Sequence, residues 1–297
     1  MFSKLASAIL RGHWAIEPSW AHAHLPQVLR LLEGKEVGRQ DFYSMEDDEV
    51  SESNAGKIKC IHPDAKTGYV KAHYYRSFSE APTGSVALIE IEGAITKYGF
   101  CSYGSVDFAK WTQEAGSHPN ISGILYKMDT PGGQCDGLQT VTDAIKAVNK
   151  PTIAFVDDGM CCSAGIWLSS ACDKVYASQK TDIIGSIGVM CSFYDYMGNF
   201  EKNGIKYHEI YAPQSKDKNI DFKEALQGNY EKIQAELSVV AEAFISSVKS
   251  NRGSRLNTSV DDPFTGKTYF APEAIKIGLI DGICSFDEAI LIAAGES

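Results

Sequence analysis

A chain of 297 residues with 44% hydrophobic side chains is long enough to bury a sizeable core, as one large domain with an extension. Its 28 lysines and arginines face 38 acidic residues, a net charge of −10, which argues against nucleic acid as a main partner. No run of ~18 apolar residues occurs, so no membrane-spanning helix is expected.

At the start, Met1–Leu10 is broken by Arg11, Gly12 and His13 before a signal core builds up, and a cytoplasmic chain is expected. Residues 1–45 read as a helical extension: after Glu17-Pro18-Ser19, the side chains Leu25, Val28, Leu29, Leu31 and Leu32 give one apolar face, with Gly34 as a stop. Residues 46–83 read as an acidic linker and arm. The run Glu46–Gly56 has too little apolar surface to order itself, whereas Tyr69–Phe78 alternates well enough for a strand or arm.

From 84 to 297 the pattern becomes regular. Apolar runs at 86–92, 121–128, 151–156 and 205–211 read as strands, alternating with helical stretches at about 105–117, 137–149, 163–171 and 193–203. That is an α/β layout with a largely parallel sheet. A longer helix carries Leu226, Tyr230, Ile233, Leu237, Val240, Ala241, Phe244 and Val248 at spacings of three and four, and ends at Gly253. This stripe and the apolar N-terminal helix offer more surface than one α/β layer needs to cover, so a closed homo-oligomer is expected.

Two strand ends carry chemistry. The strand around Ile121–Met128 runs into Asp129-Thr130-Pro131-Gly132-Gly133, where glycines let the backbone approach a ligand and offer it N–H groups. The strand Pro151–Val156 leads through Asp157-Asp158-Gly159-Met160-Cys161-Cys162 to Ser163-Ala164-Gly165 and a helix. A serine at a helix start can attack a carbonyl whose oxyanion meets unpaired backbone donors, though most serines at such positions simply cap the helix. The eight cysteines include no Cys-x-x-Cys pair, so buried free thiols are expected, with no metal and no cofactor. Cys161 or Cys162 as nucleophile ranks below Ser163, since a thiol there needs a partnering base.

These stretches resemble the signal peptide peptidase A (S49-type) family of serine peptidases, which shares its fold with the Clp-type proteases and the crotonases. The resemblance is carried in order by Val86–Ile95, Asp129–Gly133, Cys162–Gly165, Gly185-Ser186-Ile187-Gly188-Val189, Gly204-Ile205-Lys206 with Ser215-Lys216-Asp217, and Ala274–Asp281. It implies a superhelix of repeated β-β-α units. It also implies a Ser163–Lys216 dyad, with the oxyanion held by N–H groups of Gly133 and Ala164, together with Gly132. Ser186 would orient the lysine, or else simply satisfy its own turn. Lys218 is the second choice of base in the same loop. No histidine lies between Ser163 and His208, which disfavours a His-based triad. A lysine base at neutral pH must be depressed by roughly three pH units, worth about 4 kcal/mol, and burial supplies shifts of that order.

Within the family, the start and the single peptidase copy look most like the head-maturation proteases of tailed phages and prophages, as does Trp14-Ala15-Ile16 followed by a helix. The implied partner is a polypeptide, a scaffold or capsid protein, cleaved in the host cytoplasm or the prohead. A cellular peptide-degrading peptidase, a crotonase-like acyl-coenzyme A enzyme and a catalytically silent assembly protein are the alternatives.

Overall fold

The computed structural model describes residues 14–16, 57–63, 70–99, 103–193, 195, 197–206 and 208–296. The first half holds strands β1 (Trp14–Ile16), β2 (Ile58–Pro63), β3 (Val70–Tyr75) and β4 (Ser85–Glu92), helix α1 (Ser105–Ser117), strands β5 (Ile121–Thr130) and β6 (Gly132–Gln134), and helix α2 (Leu138–Lys146). Then come β7 (Thr152–Cys162), α3 (Ala164–Ser169), β8 (Lys174–Ala177), β9 (Ile183–Gly185), α4 (Met197–Lys202), α5 (Ile220–Leu226) and α6 (Glu231–Arg252). The last elements are β10 (Thr268–Phe270), α7 (Ala271–Ile277), β11 (Gly282–Ile283) and α8 (Phe286–Ala294).

The heart of the sheet is β4-β5-β7, all parallel. These strands read as near-continuous apolar runs because both faces are covered, and the side chains alternate between two cores. Ala87, Ile89, Ile91, Ile124, Tyr126 and Ala154 pack with Phe108, Val141 and Ile166 of the helices on one face. Leu88, Leu125, Ile153 and Phe155 point the other way, against Ala289, Ile290 and Ala293 of α8. Each leucine, isoleucine, valine or phenylalanine among them contributes ~1.5–3 kcal/mol on burial. The full order is β10-β9-β7-β5-β4-β2-β3, with β8 and β11 branching off β7. The antiparallel strands β2, β3 and β10 lie on the flanks. The α/β class with a largely parallel sheet is therefore as expected.

Several expectations are revised. Strand β2 pairs with β4 and β3 pairs with β2, so residues read as an arm extend the sheet of the domain drawn from 84. Trp14–Ile16, placed in a helical extension, is a strand; the helix around Leu25–Leu32 and the acidic run Glu46–Gly56 lie outside the described residues. No described residue of 205–211 is in a strand, and the helix expected over 193–203 shortens to Met197–Lys202, which buries no side chain. Apolar residues alone do not make a strand where no partner edge receives them. The long stripe is also split: Leu226 closes α5, and Gly228, at φ 85°, separates it from α6. Of α6, Phe244, Val248 and Arg252 are buried, and Phe244 stacks on Trp167 of α3 at 4.7 Å.

Candidate active site

Parallel pairing of β5 and β7 puts Thr130 opposite Cys161, so Pro131-Gly132-Gly133 and Cys162-Ser163-Ala164 leave neighbouring strand ends side by side. Helix α3 then packs against β6. Thr130 fixes the first turn: its buried hydroxyl donates to the Gly93 carbonyl at 2.6 Å and accepts the Gly132 N–H at 3.1 Å. Strand β6 is pinned along one edge, where the Ile95 N–H donates to the Gly132 carbonyl and the Gln134 N–H to the Ile95 carbonyl, both at 2.8 Å. Gly133 must be glycine, since a Cβ there would lie 1.9 Å from the Ile95 carbonyl oxygen. The Gly132 amide is engaged by Thr130, which leaves Gly133, not Gly132, as the donor able to face a ligand.

Strand β7 reaches Ser163 through a break. Its first part, Ile153–Val156, pairs with β8 and its last part, Met160–Cys162, pairs with β9. Between them Asp158 adopts φ 51°, and three successive amides there find side-chain acceptors. Asp158 N–H donates to Ser178 Oγ at 2.8 Å, Gly159 N–H to Asp182 Oδ1 at 3.1 Å and Met160 N–H to Asp129 Oδ1 at 3.1 Å. Buried Asp182 also accepts the Ser178 and Gln179 amides. Burial raises the Asp129 carboxyl above its ordinary range, against the lowering effect of the Met160 amide. Sequence reasoning gave Asp182 and Ser178 no role. Their signal is weak, because buttressing a neighbouring turn leaves no spacing pattern.

Ser163 is buried at φ 51°, ψ −111°, and its side chain makes no capping hydrogen bond to α3. Positive φ with so negative a ψ lies outside the left-handed helical well, a sparsely populated conformation that costs roughly 1–3 kcal/mol. Among the described residues four non-glycines have positive φ, and three of them, Asp158, Ser163 and Ser186, surround this corner. Strain concentrated this way is a mark of functional sites. The Ser163 N–H donates to the Gly185 carbonyl at 2.7 Å, and its Oγ lies 3.4 Å from the Gly188 carbonyl. Ser186 follows directly, buried, with its N–H on the Lys267 carbonyl at 2.6 Å. The Ala164 N–H opens α3, where first-turn amides have no intrahelical acceptor.

The thiols are poor rivals. Cys161 is enclosed, and burial pushes its thiol up to about 12. Lys216 is exposed at the end of the 3-10 turn Pro213–Ser215, and Lys218 is exposed in the same loop. His208 is exposed as well. The apolar pocket that a lysine base requires is therefore not assembled around Lys216. Few side chains are buried here: α5 buries only Ala225 and the turn before Lys216 none, while Glu209 ties the segment through Asn219 at 3.0 Å and Lys223 at 3.3 Å.

The Peptidase family S49 model matches residues 144–297, just over half of the chain. Capsid assembly protease C of Escherichia phage lambda is 32% identical over 182 residues, covering 61% of this chain and 40% of that protein. Protease 4 of Haemophilus influenzae is 24% identical over 211 residues, covering 69% of this chain and 34% of that protein. The chain thus spans less than two thirds of the length of either relative. Among solved structures, a mutant of the 1510-N membrane-bound stomatin-specific protease overlays with a TM-score of 0.47 at 19% identity, over 70% of this chain and 83% of that one. Among the described residues, no helix is long and apolar enough to cross a membrane. With the family match running from within α2 through Ser163 to the end of the chain, the protein belongs to peptidase family S49.

Proposed function

We propose that the chain is a serine endopeptidase in which Ser163 is the nucleophile and Lys216 the general base. The observation that carries the reading is Ser163 itself: buried, held at positive φ at a strand-to-helix junction, not used as a cap, and beside the glycine strand β6. Its Oγ attacks the scissile carbonyl while the lysine amine takes the hydroxyl proton. The oxyanion is held by the N–H groups of Gly133 and Ala164. The lysine then returns the proton to the leaving amine, and water hydrolyses the acyl-enzyme by the same route.

This scheme requires the loop bearing Lys216 to close over bound substrate, which would bury the amine and create the environment a lysine base needs. Ser186, two residues before the carbonyl that faces Ser163 Oγ, orients the amine after closure. The similarity to the lambda capsid assembly protease favours a scaffold or capsid polypeptide as substrate, in the cytoplasm or the prohead, processed by a homo-oligomer.

The test is hydrolysis of labelled casein by Ser163→Ala, Lys216→Ala and the double variant. Residues acting as a unit give non-additive losses, so each single variant should fall to background and the double should be hardly worse. Near-normal turnover in Lys216→Ala, with loss in Lys218→Ala, would move the base to the neighbouring lysine.

A further inference from the structure

Strand β6 has two edges, and only one is used by the body of the domain. Gly132 C=O and Gln134 N–H bond to Ile95 on that edge. Successive residues of an extended strand send their polar groups to opposite sides, so the N–H and C=O of Gly133 face the other edge. That edge is occupied by β1, which runs antiparallel with Ala15 directly opposite Gly133, Trp14 opposite Gln134 and Ile16 opposite Gly132. The main chain of β1 therefore lies over the amide assigned above to the oxyanion.

We propose that β1 is a resident pseudosubstrate, seated on the edge an extended peptide must use and displaced before Ser163 can act. The inference rests on the peptidase reading and adds a regulatory step to it. Extended peptides bind exposed strand edges by adding a strand, and neighbouring strands lie only about 4.8 Å apart, so the edge of β6 holds one chain at a time. Among the described residues β1 is three residues long, pairs with β6 and contributes Ile16 as a buried side chain, a length of pairing that an incoming extended chain can match. The occupant that displaces it is an extended segment of an unfolded polypeptide. Folded proteins, which offer no free strand of this kind, leave the site closed.

The experiment uses the full chain with Ile16→Asp, Ala15→Pro or the conservative Ile16→Val, and follows the rate at which a fluorophosphonate probe modifies Ser163. Release of β1 should accelerate modification at least tenfold in the first two variants and leave Ile16→Val near the unaltered rate. A synthetic peptide of residues 10–20 should return Ile16→Asp to the slow rate. Unchanged or slower modification in Ile16→Asp and Ala15→Pro, with cooperative melting retained, would make β1 a fixed wall of the groove and overturn the proposal while the peptidase reading stands. Absence of modification in every form would remove both together. Should both variants fail to fold, the unaltered chain decides: the peptide must raise KM for an unfolded substrate without lowering kcat, and any other pattern overturns the proposal.

Discussion

Gly123 near the start of β5 and Gly133 in β6 carry the same steric constraint, and replacing each with alanine separates the site from the scaffold. In Gly133→Ala the new Cβ would lie 1.9 Å from the Ile95 carbonyl oxygen and 2.6 Å from the Ile95 nitrogen. Restoring a contact of ~3.5 Å requires β6 to retreat by roughly 1.5 Å. A misplacement of ~1 Å at a reacting group can cost ~100-fold, and loss of one oxyanion donor costs ~100–1,000-fold in kcat. In Gly123→Ala the Cβ would likewise meet the Ala293 carbonyl oxygen at 1.9 Å. From residue 123 to residue 130, however, β5 runs ~23 Å at ~3.3 Å per residue, so that clash is remote from Ser163. Both substitutions should cost ~1–3 kcal/mol of stability as overpacking. Casein hydrolysis, normalised to the folded fraction from circular dichroism, should fall by ~100-fold or more in Gly133→Ala and stay near the unaltered value in Gly123→Ala. Equal losses in the two variants, or full turnover in folded Gly133→Ala, would refute the placement of the oxyanion donor.

Arg252, buried at the end of α6, donates through Nε to the Gly278 carbonyl at 2.8 Å and through both terminal nitrogens to Asp281 at 2.9 and 3.2 Å. Arg252→Met leaves that carboxylate with only the Val175 amide at 2.8 Å and the more distant Arg255 at 3.7 Å, and should cost up to ~3–5 kcal/mol, which lowers Tm by roughly 2–4 °C for each kcal/mol; an unchanged melting curve would contradict this. Burial pushes the Asp281 carboxyl up, but its hydrogen bonds and charge interaction with Arg252, helped by the Val175 amide, outweigh that and hold it below the ordinary range. A depressed folded-state pKa means that its stabilisation is present above the unfolded value of ~3.9 and is lost as pH falls through the lower folded value. The difference between the unaltered chain and Arg252→Met, measured by denaturant titration, should therefore shrink below about pH 4, and a difference independent of pH there would refute the assignment. Ile205, Ile210, Phe222, Tyr230 and Val239 are exposed along the segment from α4 to α6. Light scattering at micromolar concentration should give a multiple of the 32.4 kDa chain mass, and the mass of a single chain would sink the oligomer.

The strand and glycine corners of the site were legible because they depend on local pattern. Continuous apolar runs marked β4, β5 and the first half of β7, and Pro131-Gly132-Gly133 announced a close backbone approach that Ile95 now explains. The helix Ser105–Ser117 was legible to the residue, because its apolar face is set by spacing alone. The pairing of β1 with β6 was not legible, since it joins segments more than a hundred residues apart and leaves no mark in either. Nor was the buttress of Asp129, Asp182 and Ser178, whose side chains serve backbone amides on another strand. The expected strand over 205–211 failed for the converse reason: its apolar residues include Ile205 and Ile210, both exposed, so the pattern had no core to report. Lys216 rested on resemblance, and its exposed loop offers no local pattern that would single it out from Lys218.

The central claim is that Ser163 is the nucleophile, and mass spectrometry of the native full chain after treatment with a fluorophosphonate probe tests it most directly. The account predicts a single adduct on the proteolytic fragment containing Ser163, lost when the chain is denatured before treatment and lost in Ser163→Ala together with casein hydrolysis. Casein hydrolysis that persists in purified Ser163→Ala, or an adduct on another residue that disappears with activity when that residue is replaced, would contradict it.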